Sequence, residues 1–321
     1  MPRFPQAVLV SCEVPWDAKE RFQETVFRRE VQRARQAGFD HLYIFGTAGE
    51  GYAVNLDQFK QVTDVFWDET RPAGVQTMVG AIALSTATIV ERVAIAYLRG
   101  FRTFQIALPS WGALNDGELL TFFKDVCGTF PDASFLHYNL PRAKRVLTGA
   151  DYRRIVEAVP NLVATKNTGG GLPRAADLMT QAPELQHFFG EQNFPHGCMY
   201  GECSILSSFA PIAPEATKAL FEAGRLRQVE RLFRLQHFFH DLLQGVFGDL
   251  LAMDRIDGAY DKMIVKLGGL EDMPLRLLSP YQGFTEEQFQ ICQRRYVDKF
   301  NRGRPTDADL LSANPGAGRG H

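Results

Sequence analysis

Eight times between residues 7 and 223 a short apolar run gives way to a longer stretch with helical spacing, and this alternation constrains the chain more than any other feature. The runs cover 7–10, 41–45, 75–79, 103–108, 134–138, 162–166, 186–189 and 202–206. The first helical stretch, 22–37, stops at Gly38, a natural C-cap, and Asn55 and Asn115 or Asp116 stand where N-caps belong. Strands that alternate with helices pair in parallel. Eight such units predict an α/β fold, a closed (β/α)8 TIM barrel. The alternative, a doubly wound open sheet, lacks a GxGxxG turn after an early strand. Beyond Arg225 the pattern is helix only, over 226–247, 254–267 and 286–300. The expected organisation is a barrel domain over 1–225, an appended C-terminal helical segment over 226–300, and a disordered tail over 301–321 rich in Gly, Pro, Asp and Arg.

Composition narrows the function. The 321 residues carry a formal net charge of −2, with no basic stripe of the kind that binds nucleic acid. No apolar run approaches the roughly 18 residues of a membrane span, and no apolar h-region opens the chain. The five cysteines, Cys12, Cys127, Cys198, Cys203 and Cys292, form no CxxC pair, which suits reduced thiols in a cytoplasmic protein.

Barrel active sites lie at the C-terminal ends of the strands. The sixth run ends in Lys166, followed by Asn167, Thr168 and three glycines. An ammonium at the end of an apolar strand is costly to bury, so its pKa is expected to fall. A partly neutral lysine attacks carbonyls and forms Schiff bases. On its own the residue also fits a lysine that snorkels to solvent. The second run ends in Gly46-Thr47-Ala48-Gly49-Glu50, where glycines let backbone N–H groups converge on an anion and Thr47 adds a hydroxyl. The fifth ends in His137-Tyr138-Asn139-Leu140-Pro141; if Tyr138 points into the barrel, alternation sends His137 toward the helices. Lys166 would attack a ketone, Tyr138 would move protons, and the Gly46–Gly49 loop would hold a neighbouring carboxylate. Together they describe a site for a 2-oxo acid.

These three motifs, in this order, resemble the dihydrodipicolinate synthase / N-acetylneuraminate lyase family of class I, Schiff-base pyruvate lyases. The family's marks are a GTTGE-like loop after strand two, a YN-x-P run after strand five, and a lysine closing strand six. The resemblance implies a barrel with C-terminal helices, a catalytic set of Lys166, Tyr138 and Thr47, no metal or organic cofactor, and a homotetramer or homodimer. There are departures. Ala48 stands for the second loop threonine, Asn167 for an acid, Gly171 for a polar residue, and Arg142 sits one position early. A tyrosine pair after strand four is replaced by Pro109-Ser110-Trp111. An indole N–H donates but cannot relay a proton. The Pro-x-Trp run resembles the hydratase-aldolase branch, which implies an aromatic or bulky apolar partner for pyruvate. Two other readings stand beside this one: a dehydratase of 2-oxo-3-deoxy sugar acids, and a silent barrel that only binds a 2-oxo acid.

The substrate-lining candidates are Gly46, Ala48, Gly49, Trp111, Arg142, Glu191 and Cys203. Glu191, with Gln192 and Asn193, either reads the variable part of the substrate or forms a solvated loop. Cys203 and Ser204 open the eighth strand and also fit small core positions. Glu50 is expected to accept hydrogen bonds behind the site. His237 and His240, one helical turn apart, have no third ligand in the pattern and read as a polar face.

Overall fold

The computed structural model describes residues 1–301, so the expected tail lies outside the described residues from position 302 on. Among the described residues eight parallel strands close into a barrel in sequence order. They are β1 (Val8–Ser11), β2 (His41–Ile44), β3 (Gln76–Gly80), β4 (Thr103–Ile106), β5 (Ser134–Asn139), β6 (Leu162–Asn167), β7 (Gln186–Phe189) and β8 (Ser204–Ser207). Between and after them lie α1 (Glu24–Gln36), α2 (Leu56–Thr70), α3 (Thr86–Arg99), α4 (Asp116–Gly128), α5 (Gly149–Ala158), α6 (Gly171–Gln181), α7 (Phe194–Cys198) and α8 (Pro214–Arg225). The C-terminal segment adds α9 (Val229–Phe247), α10 (Asp257–Leu267) and α11 (Glu286–Tyr296).

The expected caps are in place. Asn55 and Asn115 each accept from the backbone N–H three residues on, and Gln58 and Glu118 return the bond. Gly38 follows α1 with φ +83°, a conformation that costs a glycine little. Several boundaries differ from the sequence reading; the fourth strand, for one, ends at Ile106 rather than Leu108. Phe22 bridges to Trp16 before the first helix begins, and the eighth strand starts at Ser204, after Cys203.

Alternation sorts the side chains into two layers. Leu9, Tyr43, Met78, Leu136, Ala164, Phe188 and Leu206 fill the barrel interior, and Phe4 closes its floor. Val8, Val10, Leu42, Ile44, Phe104 and Phe135 face outward into the main core shared with the helices. Because the interior is packed at the floor and middle, chemistry is confined to the rim where the strands end.

Helix α10 lies against that rim. A Cβ on Gly258 would stand 2.8 Å from the Ala48 carbonyl oxygen, so only glycine allows the helix this close to the loop after β2. One turn further on, Lys262 reaches Glu50 of the same loop.

Candidate active site

Strand pairing sets Tyr138 beside Lys166 in register. The Lys166 Nζ lies 4.3 Å from the centroid of the Tyr138 ring. Tyr138 is buried and points inward, whereas His137 turns to the helices and its Nδ1 meets the Tyr152 hydroxyl at 2.7 Å, as alternation required. Behind Lys166, Asn139 donates to Asn167, Asn167 donates to Thr165, and Thr165 meets His187, so β5, β6 and β7 are tied together at this level. After β6 the backbone passes through Gly169, Gly170 and Gly171 with φ of +69°, +80° and +53°, a run of left-handed conformations that side chains would strain.

The direction of the Lys166 pKa corrects the sequence reading. Burial pulls it down, but the charges of Tyr138, Asp257 and Asp261, with hydrogen bonding to Tyr138, outweigh burial and leave it raised. Asp257 and Asp261 come from α10, about ninety residues away in the chain, and nothing local to the lysine announces them. This direction favours the ammonium, from which a base must take a proton before the amine attacks.

The loop after β2 is held from behind. Glu50 is fully buried and accepts three hydrogen bonds: from Trp16 Nε1 at 3.0 Å, Lys262 Nζ at 2.5 Å and the Leu278 N–H at 2.6 Å. This is the acceptor role expected for Glu50, and the partners Trp16 and Lys262 were missed. Within the loop, Glu50 N–H bonds to the Thr47 carbonyl at 3.2 Å and Gly51 N–H to the Gly46 carbonyl at 3.1 Å. Among the described residues no acceptor engages the N–H groups of Thr47, Ala48 and Gly49, which remain available to an anion.

Thr47 is buried and lines a cavity of about 510 Å³ at the rim, together with Tyr52, Leu108, Leu140, Arg142 and Tyr281. Arg142 makes a two-pronged ion pair with Asp257, at 2.9 and 3.0 Å, across the mouth. Burial would raise the Asp257 carboxyl, but the Arg142 bonds outweigh it and hold the group below its usual range.

Three candidates sit elsewhere. Glu191 is buried, and its Oε1 accepts from the Ser207 hydroxyl at 2.5 Å and from the Ser208 and Phe209 N–H groups at 3.1 and 3.2 Å. It pins the chain leaving β8, and is neither a solvated loop residue nor a free substrate contact. Cys203 precedes β8 at the end of the barrel away from the mouth, buried and packed 3.6 Å from Cys198, in the position of a core filler. The Trp111 side chain is 84% exposed on the single chain and does not line the cavity; only its carbonyl is engaged, by Lys144 Nζ at 2.6 Å. His237 pairs with Asp241 at 3.4 Å, and among the described residues no three potential ligands converge on a metal position.

The sequence reading also missed Glu13, buried just past β1. Its signal was present: it continues the inward phase of Leu9 and Ser11, where an acid is out of place in an apolar run.

Residues 5–280 match the dihydrodipicolinate synthetase family. The chain belongs to that family. An N-acetylneuraminate lyase from Shigella boydii serotype 4 is 23% identical over 197 residues, 61% of this chain and 66% of the lyase, just under two thirds of its length. A prophage protein of the dihydrodipicolinic acid synthase family from E. coli K12, solved with pyruvate, superposes with a TM-score of 0.81 at 15% identity, covering 91% of this chain and 98% of that one. The N-acetylneuraminate lyase of Fusobacterium nucleatum gives a TM-score of 0.79 at 16% identity, with coverage of 91% and 98%. At these identities the structural neighbours speak for the fold, a TIM barrel followed by C-terminal helices. No described helix of this family member is long and apolar enough to cross a membrane.

Proposed function

We propose that this chain is a class I aldolase or lyase that forms a Schiff base between Lys166 and pyruvate or a related 2-oxo acid, and makes or breaks a carbon–carbon bond beside it. The observation that carries the reading is Lys166 against the Tyr138 ring, at the same rim as a loop with unengaged N–H groups. The substrate carboxylate takes the N–H groups of Thr47 and Ala48 and the Thr47 hydroxyl. That places the ketone carbon before Nζ. Tyr138 takes the ammonium proton, Lys166 adds to the carbonyl, and Tyr138 passes this proton and then the second one that the nitrogen releases to the oxygen, which leaves as water. The resulting iminium is the electron sink for the bond change, so the chemistry calls for no metal or organic cofactor. Ala48 supplies a backbone donor where a second hydroxyl is lacking.

The resemblance of the run Pro109-Ser110-Trp111 to the hydratase-aldolase branch supports an aromatic or bulky apolar partner for the 2-oxo acid. Trp111, exposed beside this mouth, suits the contact between copies in a homodimer or homotetramer.

The test is borohydride trapping. Wild type incubated with pyruvate and borohydride should carry a stable covalent adduct at Lys166, and Lys166→Ala should carry none while keeping its circular dichroism. An adduct of equal stoichiometry on Lys166→Ala overturns the assignment of the nucleophile.

A further inference from the structure

The inference rests on the Schiff-base reading and concerns the step after the imine forms. A planar imine carbon has three substituents. Lys166 supplies the nitrogen from β6, the loop after β2 takes the carboxylate from across the barrel, and Tyr138 stands on β5. The third substituent, the carbon next to the imine, is left the arc β7–β8–β1. That carbon must lose a proton before it can act as a nucleophile, so this arc needs a base.

Glu191 lies on the arc but is committed to the Ser207 hydroxyl and two backbone N–H groups. Glu13 is placed differently. Along β1, Val8 and Val10 face the helices, as does Cys12 beyond it, and Leu9 faces the interior. Glu13 continues the phase of Leu9. It is 2% exposed, and its backbone N–H is anchored on Glu30 Oε1 at 2.5 Å. Its Oε2 has no hydrogen-bond partner among the described residues; the Ser11 hydroxyl beside it falls short of a hydrogen bond. From above, α10 brings a second carboxyl. The contacts of Gly258 with Ala48 and of Lys262 with Glu50 fix the rotation of that helix. Asp257 and Asp261, also one turn apart, then share the adjoining face, with Asp257 reaching Arg142 over the mouth. Asp261 senses the charge of Glu13, and both sense Lys166.

We propose that Glu13, paired with Asp261, is the base that removes the proton from the carbon adjacent to the imine. The C–H bond breaks and its electron pair becomes the new C=C bond. The C=N π pair moves onto Nζ, and the proton goes to the Glu13 carboxylate, so iminium becomes enamine; the reverse step returns the proton. Burial pushes Glu13 up to about 7, against the pull of Ser11, Lys262 and Lys166 and with a push from Glu50. A base with that midpoint is part ionised at neutral pH and strong enough to act. Burial, and next the charge of Glu13, raise the Asp261 carboxyl as well. The titratable groups facing Glu13 are Glu30 from α1, Glu50 from the loop after β2, Lys166 from β6, and Asp261 and Lys262 from α10.

Pyruvate alone tests this, with no knowledge of its partner. Exchange of its methyl hydrogens for deuterium in D2O, followed by NMR, reports the proton step, and borohydride trapping reports the imine. Glu13→Gln should trap pyruvate at wild-type stoichiometry but exchange it about 10²–10⁴-fold more slowly, with partial recovery in Glu13→Asp. A carboxylate base works only when ionised, so wild-type exchange should rise with pH through about 7 while trapping capacity holds. Glu13→Gln that traps and exchanges like wild type overturns the proposal. If Glu13→Gln fails to fold, the wild-type profile decides, and an exchange rate flat across that range overturns it. Wild type that traps no pyruvate refutes the Schiff-base reading itself, and this inference with it.

Discussion

The Glu50–Lys262 pair offers the sharpest test of how the rim is held. Both side chains are wholly buried, and Nζ and Oε1 are 2.5 Å apart. Lys262 also donates to the Arg276 carbonyl at 2.6 Å, and Glu50 accepts from Trp16 and Leu278 besides. In Glu50→Gln the amide keeps the shape but loses the charge. Whichever way it turns, its NH2 group faces either Leu278 N–H or the donors on the other side. The lysine is left with its charge uncompensated. Breaking a buried pair from one side costs about 3–5 kcal/mol. Lys262→Met should fall toward the lower end of that range, since two N–H donors still serve the carboxylate. The sum of the two singles is then ~6–8 kcal/mol, but the double variant removes both charges and should lose no more than the worse single, a coupling well above ~2 kcal/mol. Denaturant unfolding of the four proteins, by far-UV circular dichroism and tryptophan fluorescence in parallel, measures this. The pyruvate KM of each reports the Thr47 loop. Losses that add to within about 0.5 kcal/mol would mean the two side chains do not act as a pair.

Two further substitutions probe the chemistry and the surface. Tyr138→Phe should still bind pyruvate but form the imine and turn over roughly 10²–10⁴-fold more slowly; a rate within about twofold of wild type would remove Tyr138 from the proton path. Trp111→Ala should weaken assembly, read by light scattering, while leaving pyruvate trapping intact; unchanged assembly would mean that the exposed indole is no interface residue.

Local signals in the chain carried far. Apolar runs ending at Phe45, Tyr138 and Lys166 named the rim positions, and the caps at Asn55 and Asn115 set two helix starts. The inward turn of Tyr138 and outward turn of His137 followed from the two-residue period of a strand. What escaped depends on contacts between distant segments. Glu50 meets Lys262 at a sequence separation of 212 residues, and no periodicity encodes that meeting. The Lys166 ammonium is favoured by Tyr138 on the neighbouring strand and by carboxylates on α10, so desolvation judged from its own strand gave the wrong direction. Glu191 looked free because the three groups that occupy it lie at and just past the end of the next strand. Trp111 follows a strand, but a short exposed turn carries its ring away from the axis.

The clasp of α10 on the loop after β2 also sets a timetable for synthesis. A ribosome delivers the eight strands before it delivers Lys262 and Leu278. While those residues are still in the exit tunnel, Glu50 has neither its counter-charge nor its backbone donor, and burying it then would be costly. The nascent barrel should therefore keep that loop open to water until Lys262 and Leu278 have left the tunnel. Binding competence would appear in one late step, after the scaffold that bears it has already formed.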